Sequence, residues 1–384
     1  MRERMVEMSN TRKADPFRKL LIWTIVLLIL LALLVTGYVL LDKYQKGERD
    51  RAAQRVKEEN QKILEENSRA RAEQLASLKS GEAKTWPEAA QSGWDVLDVS
   101  DFPMTTGREQ PVTRAEMLKG GLLLVNRWHA MPGDFTLVEA DIKSIGTQTS
   151  YRVPVHDGNV LLMDNAITAL DAMVAAARKE GIEYFIMREG YRTAAAQLAN
   201  WEKEVARYQD RYAGDALIEK ARERVAYPGT SDYHTALSVY VDVYNRNDSA
   251  LNNTKFQKSA QADWLNAHGW EYGFVFRFPV QGYPQVNTVD KSYKTGIDLQ
   301  MDAYRYVGIP HAAVMRHMDF CLEEYIEYLL KHPHIAVYYD GVLKYEIYRV
   351  PGDATDTAVP LPENARDYLA STDNMGGIVM AAIY

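Results

Sequence analysis

Cysteine is almost missing from this chain, which has one, Cys321, among 384 residues. A single thiol excludes an intrachain disulfide framework and a cysteine-rich metal knuckle. Cys321 sits in the apolar helical pattern CLEEYIEYLL, where it reads as a core residue rather than a nucleophile. Positive charge is not in excess either. With 45 Lys and Arg against 52 Asp and Glu, the net charge is -7, and no broad basic surface exists for nucleic acid. The region from residue 95 onward also lacks internal repeats and low-complexity blocks. What remains, 47% hydrophobic, 25% charged and 10% aromatic, is the composition of a chain that buries a core.

One stretch lacks charge altogether. Leu20 to Leu41 is an uninterrupted apolar run, long enough for the roughly 20 residues that span a bilayer. Its length, with no small-residue cut site behind it, predicts a retained transmembrane helix over 20–41 rather than a cleaved signal. Arg12, Lys13, Arg18 and Lys19 precede it, whereas mixed charges from Asp42 to Asp50 follow. That asymmetry predicts a cytoplasmic N-terminus at 1–19 and an extracytoplasmic remainder. From Glu48 to Ser80 there is neither Gly nor Pro but an abundance of helix formers, predicting a helical stalk and linker over 42–94. Val56, Ile63 and Ala70 give heptad fragments, but Glu recurs at the other seam position, so the stalk reads as a solvated spacer rather than a coiled coil. Gly81, Pro87, Ser92 and Gly93 break the pattern, and a globular domain is placed at 95–350, with a tail at 351–384.

Inside that domain helical and strand patterns succeed one another, as in one α+β unit. Asn165 to Lys179 places Ile167, Leu170, Met173, Val174 and Ala177 on one helical face. Ile182 to Met187 reads as a strand. Leu237, Val239, Val241 and Val243 alternate with Ser238, Tyr240, Asp242 and Tyr244, the period of a half-buried strand whose second face carries functional groups. Val337 to Val350 predicts a hairpin turning at Asp340 and Gly341. In the tail, YLAS and GIVMAAIY flank TDNMG as a second hairpin pairing into a sheet.

Six runs, LLLVNRWHAMPGDF, GYRTAAAQ, PGTSDYHTALSVYVDV, WLNAHGWEYGFVFRFP, YRYVGIPHA and CLEEYIEYL, occur in an order that resembles the zinc D-alanyl-D-alanine carboxypeptidases and dipeptidases of the vancomycin-resistance type, peptidase family M15. The resemblance covers about 200 residues from Leu123 to Tyr325 and implies an α+β fold with a small central antiparallel sheet and flanking helices. In that family zinc is held by a His and an Asp of Ser-x-His-x-x-Gly-x-Ala-x-Asp and by the His of a later Glu-x-x-His, whose Glu is the general base. Three ligands leave a fourth position for water, whose pKa the metal lowers, and a base takes the proton.

Laid on Ser231, that pattern puts Tyr233 at the first His, Ala236 at the Gly, Ser238 at the Ala and Tyr240 at the Asp. Counting back from Tyr304 puts Ala303 at the second His and Gln300 at the base, and Glu189 replaces the Ser that precedes Gly-Tyr-Arg. No catalytic residue and no metal cofactor are therefore expected. The alternative is a shifted zinc site at His234, Asp242 and His311. In an extended segment His234 would face away from Tyr233, and Asp242 is displaced from Tyr240 by roughly 6.6 Å along the strand. His234 also reads as a turn residue, His311 as packing for the helix after Pro310, and Asp242 as a partner of local backbone or of Arg305.

The residues kept are those that would bind substrate. The resemblance implies a substrate-side arginine at Arg192, with Gln197 one turn onward. A guanidinium fork suits the carboxylate that ends a stem peptide. Ser231 is assigned to the same site or to a turn with Asp232, and Tyr233, Tyr240 and Tyr304, with Tyr227, are expected to line the former metal pocket. The sequence thus predicts a membrane-anchored, extracytoplasmic carboxypeptidase-like protein of cell-wall metabolism that binds peptidoglycan stem peptide or a cell-wall protein without cleaving. Two alternatives stand beside it, an active zinc carboxypeptidase with displaced ligands and a structural module of a membrane complex.

Overall fold

The structure, a computed structural model, describes residues 23–33, 35–37, 40, 62, 86–102, 107–298, 300–352 and 355–384. The chain divides into two compact units, Met1–Lys57 and Glu58–Tyr384. In the first, the described residues are helical and exposed. Among the described residues no helix is long and apolar enough to cross a membrane. The anchor expected at 20–41 is described only in part, and the stalk expected from residue 42 lies outside the described residues up to residue 85, Lys62 apart.

The second unit holds thirteen described strands: β1 (Trp94–Asp98), β2 (Arg108–Val112), β3 (Ile142–Ser144), β4 (Leu161–Met163), β5 (Phe185–Glu189), β6 (Ser238–Val243), β7 (Phe274–Phe276), β8 (Ala303–Tyr306), β9 (His334–Tyr339), β10 (Val342–Pro351), β11 (Thr357–Leu361), β12 (Asp367–Thr372) and β13 (Gly377–Ile383). Four form an antiparallel sheet in the order β5-β6-β8-β7, and five form a second in the order β1-β9-β10-β13-β12. This is a mixed helix and sheet fold, as the α+β reading expects.

The four-stranded sheet exists because β6 alternates. Val239, Val241 and Val243 are fully buried in a core they share with Ile167, Leu170, Met173 and Val174 of the Asp164–Lys179 helix. Burying each such side chain stabilises the fold by roughly 1.5–3 kcal/mol. The other face of β6 carries Ser238, Tyr240 and Asp242. β5 starts later than the sequence suggests, at Phe185, because Tyr184 takes a left-handed φ of 66° that ends the extended run before it.

The five-stranded sheet packs a second core against the helices Ile309–Met318 and Leu322–Lys331. The β9–β10 hairpin turns at Asp340 and Gly341, both at positive φ, the conformation an Asp-Gly tight turn demands. Residues 367–383 supply two further strands of the same sheet.

Candidate functional site

Two segments of the sequence meet at the edge of the four-stranded sheet. Gly190 ends β5 against β4: a Cβ there would collide with the Leu161 carbonyl, and Tyr191 donates its N–H to that oxygen at 2.7 Å. Thr193 caps the next helix, its hydroxyl accepting from the Ala196 N–H, so Gln197 falls one turn inside and Arg192 just before the start. The second segment is a 3-10 turn, Asp232–Thr235, closed by Ala236 at φ 55°. The two are strapped together. Arg192 donates its N–H to the Tyr233 carbonyl at 3.2 Å, and His234 Nδ1 donates to the Arg192 carbonyl at 2.7 Å.

Sheet register then places Tyr240 and Ala303, two of the positions that the sequence pattern aligns with ligands. Tyr240 of β6 lies opposite Ala303 of β8 on one side and opposite Glu189 of β5 on the other. Cross-strand partners share a face. Glu189 reaches this face because the β5 register slips between Met187 and Glu189, a bulge that re-aims the strand end. Gln300 Nε2 donates to the Tyr233 phenol oxygen at 2.6 Å. Tyr233, Ala303, Phe278 and Ile297 form a small buried apolar cluster with Tyr240 packed on it. Tyr233, Tyr240, Ala303 and Gln300 therefore do converge, with Gln300 and Tyr233 bonded to each other.

Burial pushes the Tyr233 phenol well above its ordinary value, and burial with Asp302 and Asp242 nearby pushes Tyr240 up too. Both remain neutral phenols near pH 7. Tyr240 shares a hydrogen bond with Asp302, whose pKa burial raises to about 6, helped by the like charges of Asp242 and Glu189. Two phenols, a methyl and an amide do not fit the donor set of a zinc site.

The shifted set does not assemble either. His234 lies in a turn rather than an extended segment, so it neither faces away nor stands free: its Nε2 accepts from the Gly229 N–H at 3.0 Å while Nδ1 holds Arg192. That fixes a neutral tautomer, and burial lowers its pKa further. Asp242 accepts from Arg188 Nε at 3.0 Å and from the Val243 N–H at 2.8 Å. His311 is fully buried beside Tyr325, whose hydroxyl lies 2.9 Å from Nδ1, and burial takes it down to about 3. Among the described residues no group of three His, Cys, Asp or Glu is arranged to hold a metal.

The expected binding residues are placed as follows. Arg192 stacks on the Tyr233 ring at 4.0 Å, donates from Nη1 to Gln197 Oε1 at 3.2 Å and pairs through Nη2 with Glu189. Its fork is engaged inside the protein rather than offered freely. Gln197 is fixed by donating to the Ala226 carbonyl at 2.6 Å. Ser231 is buried and accepts from the His234 N–H through its carbonyl. Tyr304 does not join this pocket. It pairs with Val239, one residue out of phase with Ala303, and so lies in the core on the opposite face, donating to Asn266 Oδ1 at 2.7 Å. Tyr227 packs edge-on against Trp201.

Sequence reasoning missed three things. Arg305 pairs with Asp232 at 2.6 Å, not with Asp242. Arg277 joins Asp232 to Glu323 at 3.1 and 2.8 Å, completing a network of four charged side chains that are all buried. Burial works against the Asp232 carboxylate, but Arg305 and Arg277 overcome it and hold its pKa below the ordinary range. The roles of Glu189 and Asp302 were also missed. An i,i+3 Glu-Arg spacing signalled the first, and nothing in the sequence signalled the second.

The mixed helix and sheet fold thus carries Arg192 strapped to the 232–235 turn, beside the Tyr233, Tyr240, Ala303 and Gln300 cluster. Residues 159–307 match the D-alanyl-D-alanine carboxypeptidase family VanY. The chain is 32% identical over 177 residues to the bifunctional D-Ala-D-Ala dipeptidase and D-Ala-D-Ala carboxypeptidase VanXYC of Enterococcus gallinarum, covering 46% of this chain and 83% of that protein. It is 29% identical to a D-alanyl-D-alanine carboxypeptidase of Enterococcus faecium, covering 71% and 78%. Among solved structures, the vancomycin resistance D,D-dipeptidase VanXYg, in complex with a D-Ala-D-Ala phosphinate analogue, aligns with a TM-score of 0.54 at 22% identity, over 73% of this chain and 100% of that one, a likeness of fold alone. The chain belongs to the VanY D-alanyl-D-alanine carboxypeptidase family.

Proposed function

We propose that this family member binds the peptidoglycan stem peptide, or a partner of wall synthesis, without zinc-dependent hydrolysis, as a domain tethered outside the cell membrane by its N-terminal apolar run. The observation that carries the reading is the bond from Gln300 to Tyr233: the base position serves the first ligand position, and both are neutral. The relatives named above act on D-Ala-D-Ala, which makes a peptide ending in D-Ala the natural ligand class. Arg192, stacked on Tyr233 and steadied by Gln197, is the group suited to its carboxylate. The tether rests on the Leu20–Leu41 run and the Lys and Arg before it.

The full chain in detergent tests this. After metal-free purification and dialysis against zinc, it is expected to hold far less than one zinc per chain and to release no D-Ala from an acetylated Lys-D-Ala-D-Ala peptide. The same peptide is expected to bind in calorimetry, with binding lost in Arg192→Ala. One zinc per chain with EDTA-sensitive release of D-Ala establishes the displaced-ligand enzyme instead. Absence of binding leaves the structural module.

A further inference from the structure

We propose that Glu189 is a specificity-determining residue: a built-in carboxylate that occupies Arg192 and must be displaced before a ligand carboxylate can bind. This deepens the reading above and rests on Arg192 being the receiving group. The partners of Arg192 are unequal. Gln197 is buried and held by the Ala226 carbonyl, and the Tyr233 ring beneath the guanidinium is buried as well. Glu189 is the exposed partner, with 43% of its side chain in solvent against 15% for Arg192. It is therefore the one that an incoming solute can replace.

Geometry supplies a reason for exchange. Glu189 meets Arg192 through Nη2, while Nε is buried and makes no hydrogen bond. A carboxylate arriving end-on satisfies two parallel donors of a guanidinium at once. Such a ligand takes over Nη2 and supplies the missing acceptor for Nε, and Glu189 passes into water. Against this stands tethering. Glu189 sits three residues from Arg192 on a bulged strand end, so the ligand competes with an intramolecular group already held in place. Weak ligand carboxylates are excluded, and a peptide binds only when its remaining contacts outweigh the internal pair. A serine at this position, as in the family pattern, imposes no such competition.

The test uses the full chain and its Glu189→Ser and Glu189→Gln variants, titrated with acetyl-Lys-D-Ala-D-Ala as free acid and as C-terminal amide. Both variants are expected to bind the acid at least tenfold more tightly than the parent and the amide within twofold of it. Acid binding equal in parent and variants overturns the proposal. A second readout needs no peptide. Phenylglyoxal labelling of Arg192, located by mass mapping, is expected to run several-fold faster in both variants, and an unchanged rate also overturns it. Faster labelling with no peptide bound by any form supports the internal pair while sinking the stem-peptide reading, so the two failures are distinct.

Discussion

Two polar clusters share one face of the four-stranded sheet and differ in what they do with charge. At Ser238 and Arg305, which lie opposite each other in β6 and β8, the chain buries two carboxylates and two guanidinium groups completely. Two residues along the same strands, at Tyr240 and Ala303, it has a phenol, a methyl and an amide where the family pattern places charged or metal-binding groups. The distance between them is only roughly 7 Å. The first cluster retains charge because every charge is paired. Arg305 donates to Asp232 at 2.6 Å and to the carbonyls of Gly121 and Leu123 at 2.9 and 3.0 Å. The second holds neutral groups, of which Gln300 and the Tyr233 phenol bond each other, and a neutral buried group costs far less to desolvate than an unpaired charge. Asp302 is the exception, a half-buried carboxylate whose hydrogen-bond partner is a phenol.

The sharpest way to break this contrast is to unbalance the paired cluster. Arg305→Ala leaves Asp232 with Arg277 as its one cationic partner, beside the Ser238 hydroxyl, and strips two buried carbonyls of their donor. Removing one partner of a buried pair costs about 3–5 kcal/mol. Tyr233→Phe in the neutral cluster removes a single hydrogen bond to Gln300, worth about 1 kcal/mol. Urea denaturation followed by circular dichroism is expected to rank the two in that order. Equal losses, or a loss below 1 kcal/mol for Arg305→Ala, would deny that the ion network secures this face.

Next in size is a difference of sign with pH. Asp232 has a folded pKa below its unfolded value, so its contribution is present at neutral pH and disappears as pH falls through the folded pKa. Asp302 runs the other way. Its folded pKa, about 6, lies above the ordinary aspartate value of 3.8, so its stability is complete below about pH 4 and is lost as pH rises through about 6. At pH 8 the full penalty applies, at most about 3 kcal/mol. Asp302→Asn, which keeps a partner for Tyr240, is expected to stabilise the fold at pH 8, with the gain shrinking to nothing near pH 4. A gain independent of pH would mean that packing, not charge, separates the variants.

How much of this could be read in advance follows from the range of the forces. The Asp164–Lys179 helix and the alternation of β6 were legible, because local period alone fixes which side chains are buried. The Asp340–Gly341 turn was legible from backbone preference. The position of Tyr304 was legible as well, since the alternation that turns Val239 away from Tyr240 turns Tyr304 away from Ala303. The bulge that brings Glu189 to Tyr240 was not, nor the pairing of β1 with β9 across more than 200 residues. Both are settled by tertiary packing rather than by any local pattern. Likewise the rewritten ligand positions were visible as residue types, whereas their mutual hydrogen bonds and the capture of Arg192 by Glu189 required the register of three strands.

The smallest effect belongs to the hinge between the clusters. Asp232 of the charged network and Tyr233 of the neutral one are neighbours on the 232–235 turn, and Ala236 closes it at φ 55°, where the family pattern has Gly. An L-residue in this region bears about 1–2 kcal/mol of strain. Ala236→Gly relieves that strain, but it loses a fully buried methyl group, about 0.8 kcal/mol, and loosens the unfolded chain by about 0.4–1 kcal/mol. The opposing terms nearly cancel, so the urea midpoint is expected to move by less than the equivalent of about 1 kcal/mol. Near-neutrality would explain how this position tolerates alanine while both clusters stay intact. A loss above about 2 kcal/mol would instead show that the methyl group is a packing element of the core it shares with Met163 and Leu237, and that the turn is held from the core side rather than by the two polar clusters.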